Sequence, residues 1–191
     1  NDLPEGLSLS DHTAEYSTLI VTGPKARDLF EAMGTEADFS ATWLSTQAAK
    51  VAGTDCALAR VSFAGELGWE IHAENEQMPA IYEAVIAAGA KPFGMYTLNS
   101  LRIEKGYRAW KGDLSTDYTL LEGGMERFVK FDKPFDFVGK AALQSEKQQG
   151  RKKGFVTLIV DADEADAPYM STIWVGDTVV GETTSGAWGT A

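Results

Sequence analysis

The residues best suited to chemistry stand together in Arg60-Val61-Ser62-Phe63-Ala64-Gly65-Glu66-Leu67-Gly68-Trp69-Glu70-Ile71. Ala57, Ala59, Val61 and Phe63 alternate with Leu58, Arg60 and Ser62, the period of a strand with two different faces. Ala64 to Gly68 then forms a turn with two glycines, and Trp69-Glu70-Ile71-His72 alternates again, so a hairpin is expected. Glu70 points away from the face that holds Trp69 and Ile71. Two readings stay open. Glu70 can be a solvated residue beside a tight glycine turn. It can also be the anchor of a ligand, because an aromatic platform such as Phe63 near a carboxylate suits a flat, nitrogen-rich ring. A carboxylate accepts two parallel N–H bonds from an amino-pyrimidinone edge, and such charge-assisted pairs are strong and selective.

Most other constellations are missing from the sequence. The chain has two histidines, His12 and His72, and one cysteine, Cys56, too few for a Cys/His zinc site. No Gly-x-Gly-x-x-Gly follows a strand and no Walker loop exists, so no flavin, nicotinamide or nucleotide fingerprint is carried. No nucleophile elbow is present. The 191 residues hold 17 Lys plus Arg against 28 Asp plus Glu, a formal charge of −11. That balance argues against nucleic acid and against anionic membranes as partners. A single cysteine forms no internal disulfide, and a reducing compartment, cytoplasmic or like the mitochondrial matrix, is expected. No apolar run approaches the ~20 residues of a membrane-spanning helix.

The elements that must position these residues follow from periodicity. Thr18 to Thr22 reads as a strand, Gly23-Pro24 breaks it, and Ala26, Leu29, Phe30 and Met33 continue at helical spacing up to Gly34. Ile81, Tyr82, Val85 and Ile86 mark a second helix closed by Gly89. Thr97 to Gly106 is a third, with Leu98 and Leu101 inward and Arg102 projecting elsewhere. Phe128 to Phe131 is expected as a strand and Lys140 to Gln149 as a helix. A polar, basic linker from Gln148 to Gly154 precedes an all-β stretch: Phe155–Val160, Ile173–Val175 and Thr178–Val180, with Gly176-Asp177 as a hairpin turn. The fold class is α+β, an antiparallel sheet with helices to one side, followed by part of a β-barrel. The chain starts at Asn1 on a polar segment and ends without a closing strand, so a processed or excised piece is expected.

The Arg60–Ile71 segment resembles the R-x-[ST]-[YF]-x-G-E-x-G-[WF]-E signature of the glycine-cleavage T-protein (aminomethyltransferase) superfamily. Three further blocks lie in that family's order: Val21-Thr22-Gly23-Pro24-Lys25-Ala26, Gly94 to Arg108 with its Leu101-Arg102-Ile103-Glu104-Lys105-Gly106 core, and Lys133 to Leu143. Thr184-Ser185-Gly186 is similar to a late T-S-G turn of the family. Thr97-Leu98-Asn99 replaces the Ala-Arg-Asp of the aminomethyltransferases proper. The run Leu98-Asn99-Ser100-Leu101-Arg102-Ile103-Glu104-Lys105-Gly106-Tyr107-Arg108 is closer in style to the C-terminal folate region of dimethylglycine and sarcosine dehydrogenases. Phe63 stands where the family mostly has Tyr, so stacking remains and a phenolic contact is lost.

The resemblance implies a folate-binding domain over residues 1–149 and a truncated C-terminal β-barrel segment over 150–191. It implies that Glu70 anchors the pterin edge of tetrahydrofolate, that Phe63 lines the ring pocket, and that Ile71 and His72 lie beside it. Arg102 is a further candidate, with the alternative that it is the structural partner of Glu104 or another carboxylate. The family's essential Asp lies upstream, so no catalytic residue is expected in this chain. In the parent protein the resemblance implies flavin-dependent demethylation of an N-methyl amino acid, with FAD held by a flavin domain outside this sequence. The carbon would pass to tetrahydrofolate. Two alternatives are an aminomethyltransferase acting on a lipoyl carrier and a non-catalytic folate-binding module. A dinucleotide fingerprint far upstream of Asn1 would select the first reading.

Overall fold

In the computed structural model, residues 5–189 are described, and they divide after Met95 into two units. The first is built on strand β1 (Tyr16–Thr22), helix α1 (Ala26–Ala32), strands β2 (Thr46–Val51), β3 (Thr54–Ala59) and β4 (Gly68–Glu74), and helix α2 (Met78–Ala87). The strands form one sheet in the order β1-β4-β3-β2, and every neighbouring pair is antiparallel. β1 ends where Gly23, at φ +129°, turns the chain into α1, and Gly34 at +65° stops that helix. The β2–β3 turn uses Ala52 and Gly53, both at positive φ, which is the twist a two-residue hairpin needs. β2 was not expected from the sequence, because Thr-Gln-Ala-Ala-Lys-Val carries little β-branched character before Val51.

One face of this sheet is the core. Val21, Ala49, Val51, Leu58, Trp69, Ile71 and Ala73 are buried there against Phe30 of α1 and Ile81 and Val85 of α2. Trp69 meets Phe30 and Phe39 edge-on, at centroid distances of 5.5 and 5.4 Å. Such pairs add roughly 0.5–1.5 kcal/mol each beyond area burial. Tyr82, expected in the apolar stripe of α2, is instead exposed, one position past the inward-facing Ile81.

The second unit contains α3 (Met95–Glu104), a single 3-10 turn (Glu126–Phe128), α4 (Lys140–Gln149) and the hairpin β5 (Thr172–Val175) with β6 (Thr178–Glu182). Gly176 at φ +58° makes the β5–β6 turn, as the Gly-Asp pair predicts. Two expected strands are corrected. Phe128–Phe131 is no strand, because the Phe128 and Val129 amides turn back to the carbonyls of Met125 and Glu126. Phe155–Val160 pairs with no strand among the described residues. Only its first amide is bonded across, to the Glu122 carbonyl at 2.8 Å, and Val156, Leu158, Ile159 and Val160 are exposed. An alternating pattern needs a ladder partner to become a strand. The architecture is α+β, and no closed barrel forms among the described residues. No helix among them is long and apolar enough to cross a membrane.

Candidate functional site

The alternation of β4 sorts the chemistry from the core. Trp69 and Ile71 are fully buried on the inner face, while Glu70 and His72 stand on the outer face with side chains 27% and 39% exposed. The hairpin differs from the expected one in its connection. β3 stops at Ala59, and residues 60–67 form an irregular eight-residue link. At its start the Arg60 backbone still bonds Ser45 and Leu44, and its guanidinium lies over the Trp69 ring at 5.9 Å and donates to the Ala41 carbonyl. Within the link the Gly65 amide donates to Ser62 Oγ at 3.0 Å, and Gly65 takes φ +79°. Gly68 does not need a positive φ. A Cβ there would sit 2.9 Å from the Val21 carbonyl oxygen and 2.8 Å from Thr22 Oγ1, so close approach to β1 explains this glycine.

The surroundings of Glu70 follow from register. Its cross-strand neighbours are Ile20 on β1 and Ala59 on β3, and those of His72 are Thr18 and Ala57. The carboxylate therefore rises from a floor of small or apolar side chains. Oε2 lies 3.2 Å from His72 Nε2, and His72 Nδ1 lies 3.0 Å from Thr18 Oγ1. Oε1 has no partner among the described residues. A partly desolvated carboxylate with one open oxygen suits a flat ligand edge bearing N–H donors. Phe63 lies half-buried in the link rather than on a strand. Ile71, expected beside the ring pocket, has its side chain buried in the core and its backbone paired between Leu19 and Leu58.

Arg102 takes the structural alternative given for it, as partner of a carboxylate other than Glu104. It is 3% exposed in the second unit, and all five of its N–H groups are committed. Nε and Nη2 donate to Asn99 Oδ1, Nη1 to the Tyr107 carbonyl and to Asp113 Oδ2 at 2.6 Å, and Nη2 to Ser185 Oγ. Asp113, not Glu104, is its carboxylate, and it also accepts from the Ala109 amide, Thr184 Oγ1 and Ser185 Oγ. Burial works to raise the Asp113 carboxyl. The bonds from Thr184, Ala109 and Ser185, together with the Arg102 charge, outweigh it and hold the group below the usual carboxylate range. This network ties α3 to the Thr184-Ser185 turn and leaves Arg102 nothing to offer a ligand.

Thr18 was missed by the sequence reading. It lies 54 residues from His72, and only the β1–β4 pairing brings them together. Burial pushes the half-buried Cys56 thiol up, consistent with a packing residue. No group of three or more His, Cys, Asp or Glu able to hold a metal occurs among the described residues.

Residues 1–133 match the family profile described as the GCVT N-terminal domain. The chain is 38% identical to "Dimethylglycine dehydrogenase, mitochondrial" of Homo sapiens over 188 aligned residues, covering 95% of this chain and 22% of that protein. It is 35% identical to "Sarcosine dehydrogenase, mitochondrial" of Mus musculus over 180 residues, 91% of this chain and 19% of that protein. It is 36% identical to "Aminomethyltransferase" of Caldanaerobacter subterraneus subsp. tengcongensis over 155 residues, 78% of this chain and 40% of that protein. The chain thus spans about a fifth of the length of the two dehydrogenases.

Proposed function

We propose, from the premise that this chain belongs to the glycine-cleavage T-protein superfamily, that it is the tetrahydrofolate-binding, one-carbon-accepting portion of a flavin-dependent dehydrogenase of N-methyl amino acids. The identity with the human dimethylglycine dehydrogenase, 38% over 95% of this chain, exceeds the 32% over 94% of this chain with an aminomethyltransferase of Saccharopolyspora erythraea and supports this branch. Residues 1–149 belong to the folate-binding domain in this reading and 150–191 to a C-terminal barrel segment. FAD belongs to a flavin domain of the parent protein, and a reducing compartment suits the single cysteine.

The observation that carries the reading is Glu70 on the outer face of β4, flanked by Ile20, Ala57 and Ala59, with Oε1 open. These residues fit a pterin: the carboxylate accepts from its N–H edge, and the small side chains leave space for a flat ring. Phe63 supplies an apolar wall without a hydroxyl. Tetrahydrofolate, when bound, supplies the ring-edge amines that take up a one-carbon unit. The part played by this chain is to bind and orient the pterin.

Calorimetric titration of tetrahydrofolate into the full chain tests this. Glu70→Ala strands the donors of the pterin edge, and removing one partner of a charged hydrogen-bonded pair costs about 2–4 kcal/mol. That is roughly a 30- to 1000-fold loss of affinity. Glu70→Gln keeps one acceptor and loses less. Glu74→Ala, the same charge change at the exposed end of the same strand, leaves affinity unchanged. Equal losses at Glu70 and Glu74 would indicate general electrostatics and overturn the site. Unchanged binding in Glu70→Ala would do the same.

A further inference from the structure

Charge is not spread evenly along this chain. Residues 126–153 carry eight Lys or Arg against four Asp or Glu, leaving nine against 24 in the rest of the sequence. All eight except the half-buried Lys140 are exposed, so the second unit presents a cationic surface in an acidic protein. Its parts are tied together. Lys147 pairs with Glu126 at 2.6 Å, and Lys140 donates to the Lys133 carbonyl at 3.3 Å, so the loop before α4 lies against that helix. The hydrogen bond and charge of Lys147 hold the Glu126 carboxyl below its ordinary value, and the Arg151 charge adds to this, which sets the 151–153 run near the same group.

Aromatic rings stand among these cations. Arg127 lies over Phe128 at 4.7 Å, Lys147 over Phe131 at 5.1 Å and Lys133 over Phe135 at 5.5 Å. A ring draws a cation to its face and keeps a positive edge. The rings therefore restrain these side chains, and a docking carboxylate meets cations that have less rotamer freedom left to lose. Phe128, Phe135 and Val138 are exposed between them.

We propose that this surface docks a separate acidic protein, whose carboxylates meet the cations and whose apolar side chains cover Phe128, Phe135 and Val138. The inference is independent of the folate reading. Aromatic and Arg side chains inside a charged rim are the composition of protein interfaces. The centre of a permanent interface is depleted of charge, so a surface this charged suits a reversible partner. A long polyanion fits less well. The 24 acidic side chains elsewhere repel RNA and an anionic bilayer alike. The exposed rings Phe128 and Phe135 also carry a cation on a face where a base would stack.

The test is fluorescence anisotropy of the full chain with a labelled peptide that repeats Glu-Asp-Leu. Wild type should bind it, and ~1 M salt, which cuts the Debye length to about 3 Å, should abolish binding. Lys130→Glu, Lys133→Glu and Lys152→Glu together should weaken it at least about tenfold. The same reversal at Lys25, Lys50 and Lys91, exposed cations of the first unit, should change it little. Phe135→Ala keeps every charge and should still weaken binding severalfold, which general charge attraction would not explain. Melting curves confirm that each variant is folded, and the salt titration and Phe135→Ala decide the matter if the triple reversal is not. Four results would each overturn the proposal: no binding by wild type, equal losses in the two triple variants, tighter binding of oligouridylate or phosphatidylserine vesicles than of the peptide, or self-association in sedimentation that the peptide does not displace.

Discussion

Removing Arg102 or Asp113 should unfold the second unit far more readily than their place in a folate-like motif suggests. The Arg102 side chain is 3% exposed and that of Asp113 is 0% exposed. Arg102→Met leaves a buried carboxylate without its cation, and Asp113→Asn leaves a buried guanidinium without its anion. Breaking one side of such a pair costs about 3–5 kcal/mol. Asp113→Asn also weakens the acceptors of the Ala109 amide and the Thr184 and Ser185 hydroxyls, so it should fall at the upper end. Urea unfolding followed by tryptophan fluorescence measures both losses. The network also sets an acid limit. Asp113 is held below its ordinary value, so its contribution is fully present above about pH 4 and is lost as pH falls through the lower, folded value. Asp113→Asn should lack that acid-dependent part of the profile. A loss below about 1 kcal/mol for Arg102→Met would place it among weak surface pairs and refute the reasoning.

Tyr118 donates to Glu182 at 2.7 Å, and that bond, aided by burial and nearby carboxylates, pushes its phenol up to about 12. A raised value means stability present below the ordinary pKa and lost as pH rises toward 12. Ultraviolet titration should show one late phenolate step that Tyr118→Phe removes. Gly68→Val should cost about 1–3 kcal/mol, the usual penalty of overpacking, because its side chain would meet the Val21 carbonyl and Thr22; an unchanged melting temperature would show that β1 gives way. Phe63→Ala should weaken tetrahydrofolate binding by about 1–3 kcal/mol if its ring stacks on the pterin, and Phe63→Tyr should keep that affinity; equal affinity in Phe63→Ala would remove Phe63 from the site.

What was legible in the sequence was local. The inward Trp69 and Ile71 and the outward Glu70 and His72 follow from a period of two, and α1, α2, α4 and the β5–β6 turn from helical spacing and glycine placement. The family was legible because its motifs are short and continuous. What was misread was non-local. A structural carboxylate partner for Arg102 was one of its two readings, but Asp113 and Ser185 themselves were hidden because they lie 11 and 83 residues away. Phe155–Val160 has a strand's composition, and composition does not supply a ladder partner. Thr18 carried no signal at all until β1 was paired with β4.

The most direct measurement of the central claim is a crystal structure of the chain with tetrahydrofolate bound. The account predicts the pterin edge within hydrogen-bonding distance of Glu70, on the outer face of β4. A pterin bound away from that face, with Glu70 unchanged and open to solvent, would contradict it.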